Sequence, residues 1–174
     1  MNHIAADDND VLDLVDKNDN VIGTIDQIDA PNLLETKAGY VRGIAVFIQN
    51  DEGRLWIPRR TADKRIVPNG LDFSVAEHVQ SGENYMQAVI RGFKEELLLD
   101  VNENDLVDLG KLQPNAAIPY FIIELFLYMA DEVKDYNHAD FSGFQWLLPH
   151  EIIKLIDAGE PSKDAIKDAL LAYF

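Results

Sequence analysis

The chain has 174 residues and no cysteine. It is long enough to bury a core without cross-links, and disulfides, thiolate zinc sites and cysteine nucleophiles are excluded. Its 31 acidic and 15 basic residues give a formal charge of −16, which argues against a nucleic-acid duplex or an anionic membrane surface as a partner. No run approaches the roughly 20 apolar residues of a membrane span, and the N-terminal sequence MNHIAADDND lacks an apolar signal core. We therefore expect a cytoplasmic protein.

Two β-hairpins are predicted in the first third of the chain. The apolar runs VLDLVD and VIGTID within residues 11–25 flank the turn-forming sequence KNDN, which indicates a hairpin ahead of the main domain. Residues 26–38 have mixed polarity and contain Pro31, so we expect a connection with room for one helical turn. A second hairpin follows, with strands at residues 40–48 and 54–58. Its nearly continuous apolar character is typical of a strand covered on both faces.

The densest basic cluster of this acidic chain is RRTADK, which contains Arg59, Arg60 and Lys64. Arginine offers a planar donor fork suited to phosphate, and lysine offers a mobile point charge. The cluster could therefore contact the phosphate of a small phosphorylated molecule. Ordinary surface salt bridges to the many carboxylates are the other explanation, and both stay open. Residues 66–79 are expected to form a loop and then a short strand, LDFSVAEHV.

An amphipathic helix is predicted inside the sequence EHVQSGENYMQAVIRGFKEELLL, residues 77–99. From Met86 to Leu97, apolar residues recur at i, i+3, i+4, i+7 and i+11, so one face is buried. Glu95 and Glu96 flank Gly92 on a face beside that stripe. Adjacent carboxylates repel one another, and a divalent cation is one way to hold them together. A solvated, charged helix face is the alternative.

The second half of the chain contains strands and helices in alternation. Residues 102–115 are polar and loop-like apart from LVDLGKL, whereas YFIIELFLYM at residues 120–129 predicts a central strand. Within it, Glu124 is either buried and then paired or metal-bound or, as we expect, facing out at a strand edge. A further strand at residues 144–147 and helices at residues 149–158 and 164–174 complete an α+β sandwich.

The order of residues in the predicted helix resembles the Nudix box, which reads Gly, five residues, Glu, seven residues, Arg-Glu-apolar-any-Glu-Glu-any-Gly-apolar. The positions that match are Glu83, Arg91, Phe93, Glu95, Glu96 and Leu99. Three positions depart from it. Glu77 and Leu98 stand where glycines are expected, and Gly92 stands where a glutamate is expected. The chain thus carries a sequence that resembles a Nudix box with three altered positions, a degenerate Nudix box.

The resemblance extends beyond the box to the Nudix subgroup that includes isopentenyl-diphosphate isomerase and its hydrolase-like relatives. It is carried by LDLVDKNDNVIGT, RRTADKRIVPNGLDFSVAEHVQSGEN and FQWLLPHEI. It implies an α/β/α sandwich with a mixed β-sheet, here preceded by the N-terminal hairpin. We expect one structural unit, with the hairpin and connection in residues 1–35 and the Nudix-like domain in residues 36–174. The isomerase needs an active-site cysteine, so isomerase activity is not expected here.

The resemblance also implies a function, hydrolysis of a diphosphate linkage in a small nucleotide-like or phosphorylated metabolite with Mg²⁺ or Mn²⁺. By position, Glu95 and Glu96 would be catalytic metal ligands, and Glu83 with Arg91 would be a structural brace. Asp140 sits where many members place a further acidic ligand or base. The phosphate contacts would come from the basic cluster defined above.

The three departures leave a second function open, that of a catalytically impaired Nudix-fold protein that binds a ligand. Gly92 removes one carboxylate and costs a helix about 1 kcal/mol relative to alanine. Glu77 either crowds the approach to the metal or supplies the missing carboxylate from the neighbouring strand. Leu98 replaces a glycine that favours a left-handed turn, so we expect the helix to run on slightly.

Two further expectations concern His78 and the oligomeric state. A single histidine on a strand is more often a structural residue than a metal ligand, so we expect a structural role for His78. The N-terminal hairpin is an exposed β element that could pair between subunits, which would make a homodimer.

Overall fold

The computed structural model describes residues 10–174. The chain begins with an antiparallel hairpin of β1 (Val11–Val15) and β2 (Val21–Asp26). A 3₁₀ helix at Gln27–Asn32 and one turn of α-helix, α1 (Leu33–Thr36), connect it to the main body. The predicted hairpin and the helical turn in the connection are both confirmed.

The main body is built on a six-stranded mixed sheet. Its strands are β3 (Val41–Gln49), β4 (Leu55–Arg60), β5 (Val75–His78), β6 (Leu106–Leu112), β7 (Phe121–Met129) and β8 (Phe141–Leu147). The order across the sheet is β6-β7-β3-β4-β8, and β5 pairs with β3 off this path. Strands β3 and β7 run parallel, and the other pairs are antiparallel.

Helices cover both faces of this sheet. Helix α2 (Tyr85–Leu97) packs on one face, where Val89 and Phe93 share a core with Trp56 of β4. Helices α3 (Pro149–Asp157) and α4 (Ala165–Tyr173) pack on the other. The expected α/β/α sandwich is therefore present. No helix within residues 10–174 has the length and apolar character needed to cross a bilayer.

The second hairpin opens soon after its turn. Strands β3 and β4 are in register only at Gln49 and Leu55. Beyond that point the buried hydroxyl of Ser74 lies between them, accepting a hydrogen bond from Ile48 N at 2.9 Å and donating one to Trp56 O at 2.6 Å. The segment that carries Ser74 then continues as β5 along β3. This separation brings β5 into the middle of the sheet, under α2.

The second half of the chain differs from the sequence analysis at two places. The apolar sequence LVDLGKL, set apart from the loop-like residues around it but assigned no element, forms the edge strand β6 (Leu106–Leu112). Glu124 does not face out at an edge, because β7 lies inside the sheet and the side chain is only 14% exposed. Lys111, paired opposite it on β6, places its Nζ 3.5 Å from Glu124 Oε2. The interior alternative for Glu124 is the one observed.

Helix α2 also ends differently from the prediction that it would run on past Leu98. Its last residue is Leu97, and Leu98 itself adopts the left-handed conformation, with φ 53° and ψ 31°. The N–H groups of Leu98 and Leu99 both donate to the carbonyl oxygen of Phe93. These bonds form the usual helix-terminating motif without the glycine that normally accompanies it.

Candidate active site

The site is assembled on α2, whose start is fixed by a reciprocal cap. Asn84 Oδ1 accepts a hydrogen bond from Gln87 N at 2.8 Å, and Gln87 Oε1 accepts one from Asn84 N at 2.9 Å. Together these bonds satisfy two of the unpaired N–H groups at the helix start. With the start fixed and the apolar stripe buried, Arg91, Glu95 and Glu96 lie where α2 meets β5.

Arg91 is the central cation of this region. Its Nε lies 2.9 Å from Glu83 Oε1 and its Nη2 lies 3.1 Å from Glu83 Oε2. Its Nη1 lies 3.2 Å from Glu95 Oε2 and 3.4 Å from Glu77 Oε2. Burial alone would raise the pKa of the Glu83 carboxyl, but hydrogen bonds from Arg91 and the Gln80 N–H bring it below its usual value. Glu83 and Arg91, which were expected to form a brace, are thus joined by two hydrogen bonds.

Glu96 turns away from Arg91 and into the α2–β5 contact. Its Oε2 accepts a hydrogen bond from the backbone N–H of Ala76 at 3.1 Å. Burial raises the pKa of the Glu96 carboxyl well above its usual range, and the negative charges of Glu77, Asp72 and then Asp140 raise it further. This group of acids therefore favours an added proton or cation near Glu96.

The predicted phosphate-binding residues are each paired with a carboxylate. Arg60 Nη1 lies 2.5 Å from Asp72 Oδ2, and Lys64 Nζ lies 2.5 Å from Asp140 Oδ1. Arg60 and Lys64 thus bind two of the acids that act on Glu96. Arg59 is directed elsewhere, because its Nη1 lies 2.6 Å from Glu160 Oε1, in the loop between α3 and α4. Arg60 and Lys64 are thus held by acids that act on Glu96, whereas Arg59 is not.

The carboxylates that the structure describes suit an ion that substrate and water help to hold, and do not form a site made of protein ligands alone. Within residues 10–174, no group of three or more histidine and acidic side chains is close enough to hold an ion, so an all-protein cage is not formed. Glu77 and Glu96 nevertheless act on each other directly, and the stem of Glu77 fills the space that Gly92 leaves open. Mg²⁺ is commonly held by one or two carboxylates, with water and substrate phosphate completing its shell. The donor set suits such an ion.

Two features near the site are not predicted from the sequence. Asp72 is only 2% exposed and binds Arg60, yet nothing distinguishes it in the sequence from the other acids. The loop before β8 is anchored on α2, with Asn137 N donating to Glu96 O at 2.7 Å. Next to that anchor, the Tyr136 ring lies 5.9 Å from that of Phe144. The aromatic residues of this loop and of β8 are the sequence feature that could have indicated this contact.

Comparison with known proteins identifies the family. The NUDIX domain model matches residues 39–170, most of the chain. The chain belongs to the Nudix family. A protein of Nostoc sp. described as an uncharacterised Nudix hydrolase is 39% identical over 167 residues, covering 95% of this chain and 97% of its own. The degenerate box therefore occurs in a chain that is otherwise a Nudix protein along nearly its whole length.

Two other relatives bear on the fold and the subgroup. The crystal structure of DR0079 from Deinococcus radiodurans superimposes with a TM-score of 0.81 at 32% identity, covering 94% of this chain and 99% of that one. Isopentenyl-diphosphate Delta-isomerase of Salmonella arizonae is 25% identical over 149 residues, covering 83% of this chain and 80% of the isomerase. The Nudix fold is confirmed, and similarity to the isomerase is present at lower identity.

Proposed function

We propose that this Nudix protein hydrolyses a diphosphate linkage in a small nucleotide-like or phosphorylated metabolite, with Mg²⁺ or Mn²⁺. The observation that carries the proposal is the direction of Glu96. Its carboxylate turns inward onto β5, 3.1 Å from Ala76 N, next to Glu77 and at the end of α2 that also binds the Asp140 loop. The charges of Glu77, Asp72 and Asp140 act on this carboxyl, so a cation is favoured beside Glu96, where water and substrate phosphate would complete its shell.

Each residue has a defined part in this proposal. Glu96 and Glu77, with Glu95 beside them on α2, would hold the ion, which would supply charge to polarise the diphosphate and to lower the pKa of an attacking water. Asp140 is a further ligand or a base, held ready by Lys64 at 2.5 Å. Arg91 and Glu83 fix α2 to the loop before it. When phosphate enters, Arg60 and Lys64 exchange carboxylate for phosphate oxygen, whereas Arg59 would first have to leave Glu160.

A catalytically impaired, ligand-binding Nudix protein is the second candidate. Two observations favour it. Gly92 leaves α2 with one carboxylate fewer than the box pattern, and the acids of residues 10–174 do not gather three at a time around a common point. Under this alternative, the ion pairs of Arg60 and Lys64 are the resting state of a pocket that binds phosphate without cleaving it.

Hydrolysis assays with a Glu96→Gln variant separate the two candidates. Nucleoside diphosphates, nucleoside triphosphates, nucleotide sugars and dinucleotides would be tested with Mg²⁺ and with Mn²⁺. We expect turnover of at least one class, and a fall in kcat/KM of at least about a hundredfold in Glu96→Gln, as for loss of a group that stabilises transition-state charge. Glu35→Gln, on the exposed surface of α1, is the matched control and should match the unmodified protein.

Two outcomes would decide against hydrolysis by this site. Turnover that survives Glu96→Gln would mean that another group performs the reaction. Absence of turnover with every substrate class and both metals, together with measurable binding of a diphosphate, would favour the ligand-binding alternative. A cytoplasmic location, a homodimer formed through the hairpin, and the absence of nucleic-acid and membrane partners remain predictions alongside this proposal.

A further inference from the structure

Gly92 occupies a position where α2 has no room for a side chain. A Cβ atom added there would lie 2.7 Å from Val75 Cγ1 and 3.0 Å from Glu77 Cγ. Real Cβ atoms do not approach other carbon atoms as closely as the first of these distances. Both neighbours belong to β5, which packs directly under the helix. Val75 is therefore the main obstacle to a side chain at position 92, and the stem of Glu77 adds a second, weaker one.

The same space adjoins Glu96. Residues four apart on a helix are neighbours on its surface, with Cβ atoms about 5–6 Å apart, so a side chain at position 92 would stand next to Glu96. Glu77 approaches that location from the strand, and its charge acts directly on the Glu96 carboxyl. The residue before Glu77, Ala76, donates its N–H to Glu96 Oε2 at 3.1 Å. The Glu96 carboxylate is thus held against the strand that carries Glu77.

We infer that Glu77 and Gly92 are an exchanged pair. A residue at position 92 of the helix would otherwise place a carboxylate next to Glu96. In this protein β5 places that carboxylate there instead, through Glu77. Resting on the proposed function, the inference assigns Glu77 as a contact of the divalent ion. It has two consequences. The two positions are coupled sterically, because the stem of Glu77 adds to the crowding of position 92 by Val75. A carboxylate moved back to the helix restores ion binding only if Glu77 is removed at the same time.

The steric consequence is tested by a cycle of variants followed by thermal unfolding. Gly92→Glu alone overpacks the α2–β5 contact, and we expect the Tm to fall by roughly 3–10 °C. In the Glu77→Gly background the same change should cost less, because the contact with Glu77 is gone and only that with Val75 remains. Gly92→Ala serves as the uncharged control and should also lower the Tm, although alanine is the better helix former.

The chemical consequence is tested by binding of Mn²⁺ alone, with the free ion measured by electron paramagnetic resonance. Glu77→Gln keeps the length of the side chain and removes its charge, so the fold is retained. We expect Mn²⁺ to bind at least about tenfold more weakly to this variant. The exchange variant Glu77→Gly with Gly92→Glu should bind within about threefold of the unmodified protein, by the same scale of effects. Glu35→Gln is again the matched control.

Either half of the inference can be overturned separately from the proposed function. Equal costs of Gly92→Glu in both backgrounds would remove the steric coupling. Unchanged Mn²⁺ affinity in Glu77→Gln, or no Mn²⁺ binding by the unmodified protein, would remove Glu77 as an ion contact. Metal-dependent hydrolysis that ignores Glu77→Gln would leave the proposed function standing and overturn the exchange. Mn²⁺ binding that depends on Glu77, in a protein that hydrolyses no substrate, would leave the exchange standing and overturn the proposed function.

Discussion

His78 and Glu77 are neighbours on β5 but face opposite layers of the molecule, because side chains alternate along a strand. Glu77 faces α2, whereas the His78 ring lies 5.4 Å from the ring of Phe121. Burial, together with the positive charges of Lys163 and Arg91, lowers the pKa of His78 from 6.5 to about 4. The imidazole is therefore neutral at neutral pH, and its packing against Phe121, away from α2, is consistent with the structural role expected for it.

We predict that His78 makes the protein less stable as the pH falls from about 6.5 towards 4. Its pKa is depressed in the folded state, so the unfolded chain binds more protons in this window. The stabilising contribution is complete above the unfolded pKa and is lost on acidification, by at most about 3 kcal/mol. In His78→Gln, the free energy of unfolding from urea denaturation should fall less between neutral and mildly acidic pH.

The comparison with His78→Gln isolates this residue from the Glu96 carboxyl. The raised pKa of Glu96 acts in the opposite direction, since its ionisation with rising pH removes stability from the folded state. Because Glu96 is present in both proteins, its effect cancels in the difference. Identical pH dependences for the two proteins would show that His78 does not titrate as described.

Helix α2 stops at Leu97 because its terminal carbonyl groups find partners in the tertiary structure. Leu99 N donates to Phe93 O at 3.2 Å, and Asn137 N, from a distant loop, donates to Glu96 O at 2.7 Å. The left-handed conformation of Leu98 costs an ordinary L-residue about 1–2 kcal/mol, and these bonds offset that cost. The end of this element is thus set by residues outside it.

We predict that Leu98→Gly stabilises the protein. Glycine adopts the left-handed conformation without steric cost, and the Leu98 side chain is 59% exposed, so little packing is lost. The greater freedom of glycine in the unfolded chain offsets part of the gain, which leaves about 1 kcal/mol or less, or a rise in Tm of roughly 2 °C. Leu98→Ala should bring no such rise in a calorimetric scan. A Tm below that of the unmodified protein would contradict the prediction.

At the scale of the whole molecule, the N-terminal hairpin is joined to the sandwich by an apolar cluster and by charge. Leu12 of β1 is buried with Val41 of β3. At the hairpin turn, Asp19 Oδ1 lies 2.6 Å from Arg42 Nε, and Asp19 Oδ2 lies 2.6 Å from Lys111 Nζ. Arg42 also lies 3.7 Å from Asp13, which is 7% exposed. Arg42 therefore holds two carboxylates of the hairpin against the sheet.

We predict that Arg42→Gln loosens the hairpin while the sandwich stays folded. The change leaves two partly buried carboxylates short of a cation, at a cost of roughly 2–4 kcal/mol. Amide hydrogen exchange should become faster in β1 and β2 than in α2. Lys134→Gln, which removes an 84% exposed lysine from a 3.8 Å ion pair, is the control and should change neither stability nor exchange. Uniformly faster exchange in Arg42→Gln would show that hairpin and sandwich unfold together.

The sequence by itself determined the features that depend on short-range order. The apolar stripe of α2, the first hairpin and the spacing that brings Glu83 to Arg91 follow from residues within about fifteen positions of one another, which local periodicity can reveal. The family resemblance came from the same local pattern. These features are repeated in the structure with small shifts at their boundaries.

Only the tertiary structure decided the features whose partners are distant along the chain. Glu124 is covered because Lys111 comes from another strand, and α2 ends where Asn137 meets it. The side chain of Glu77 lies against Gly92 because β5 pairs with β3 beneath α2, a pairing between distant segments. The physical reason is that the space for a side chain is set by packing between elements, which no local pattern records.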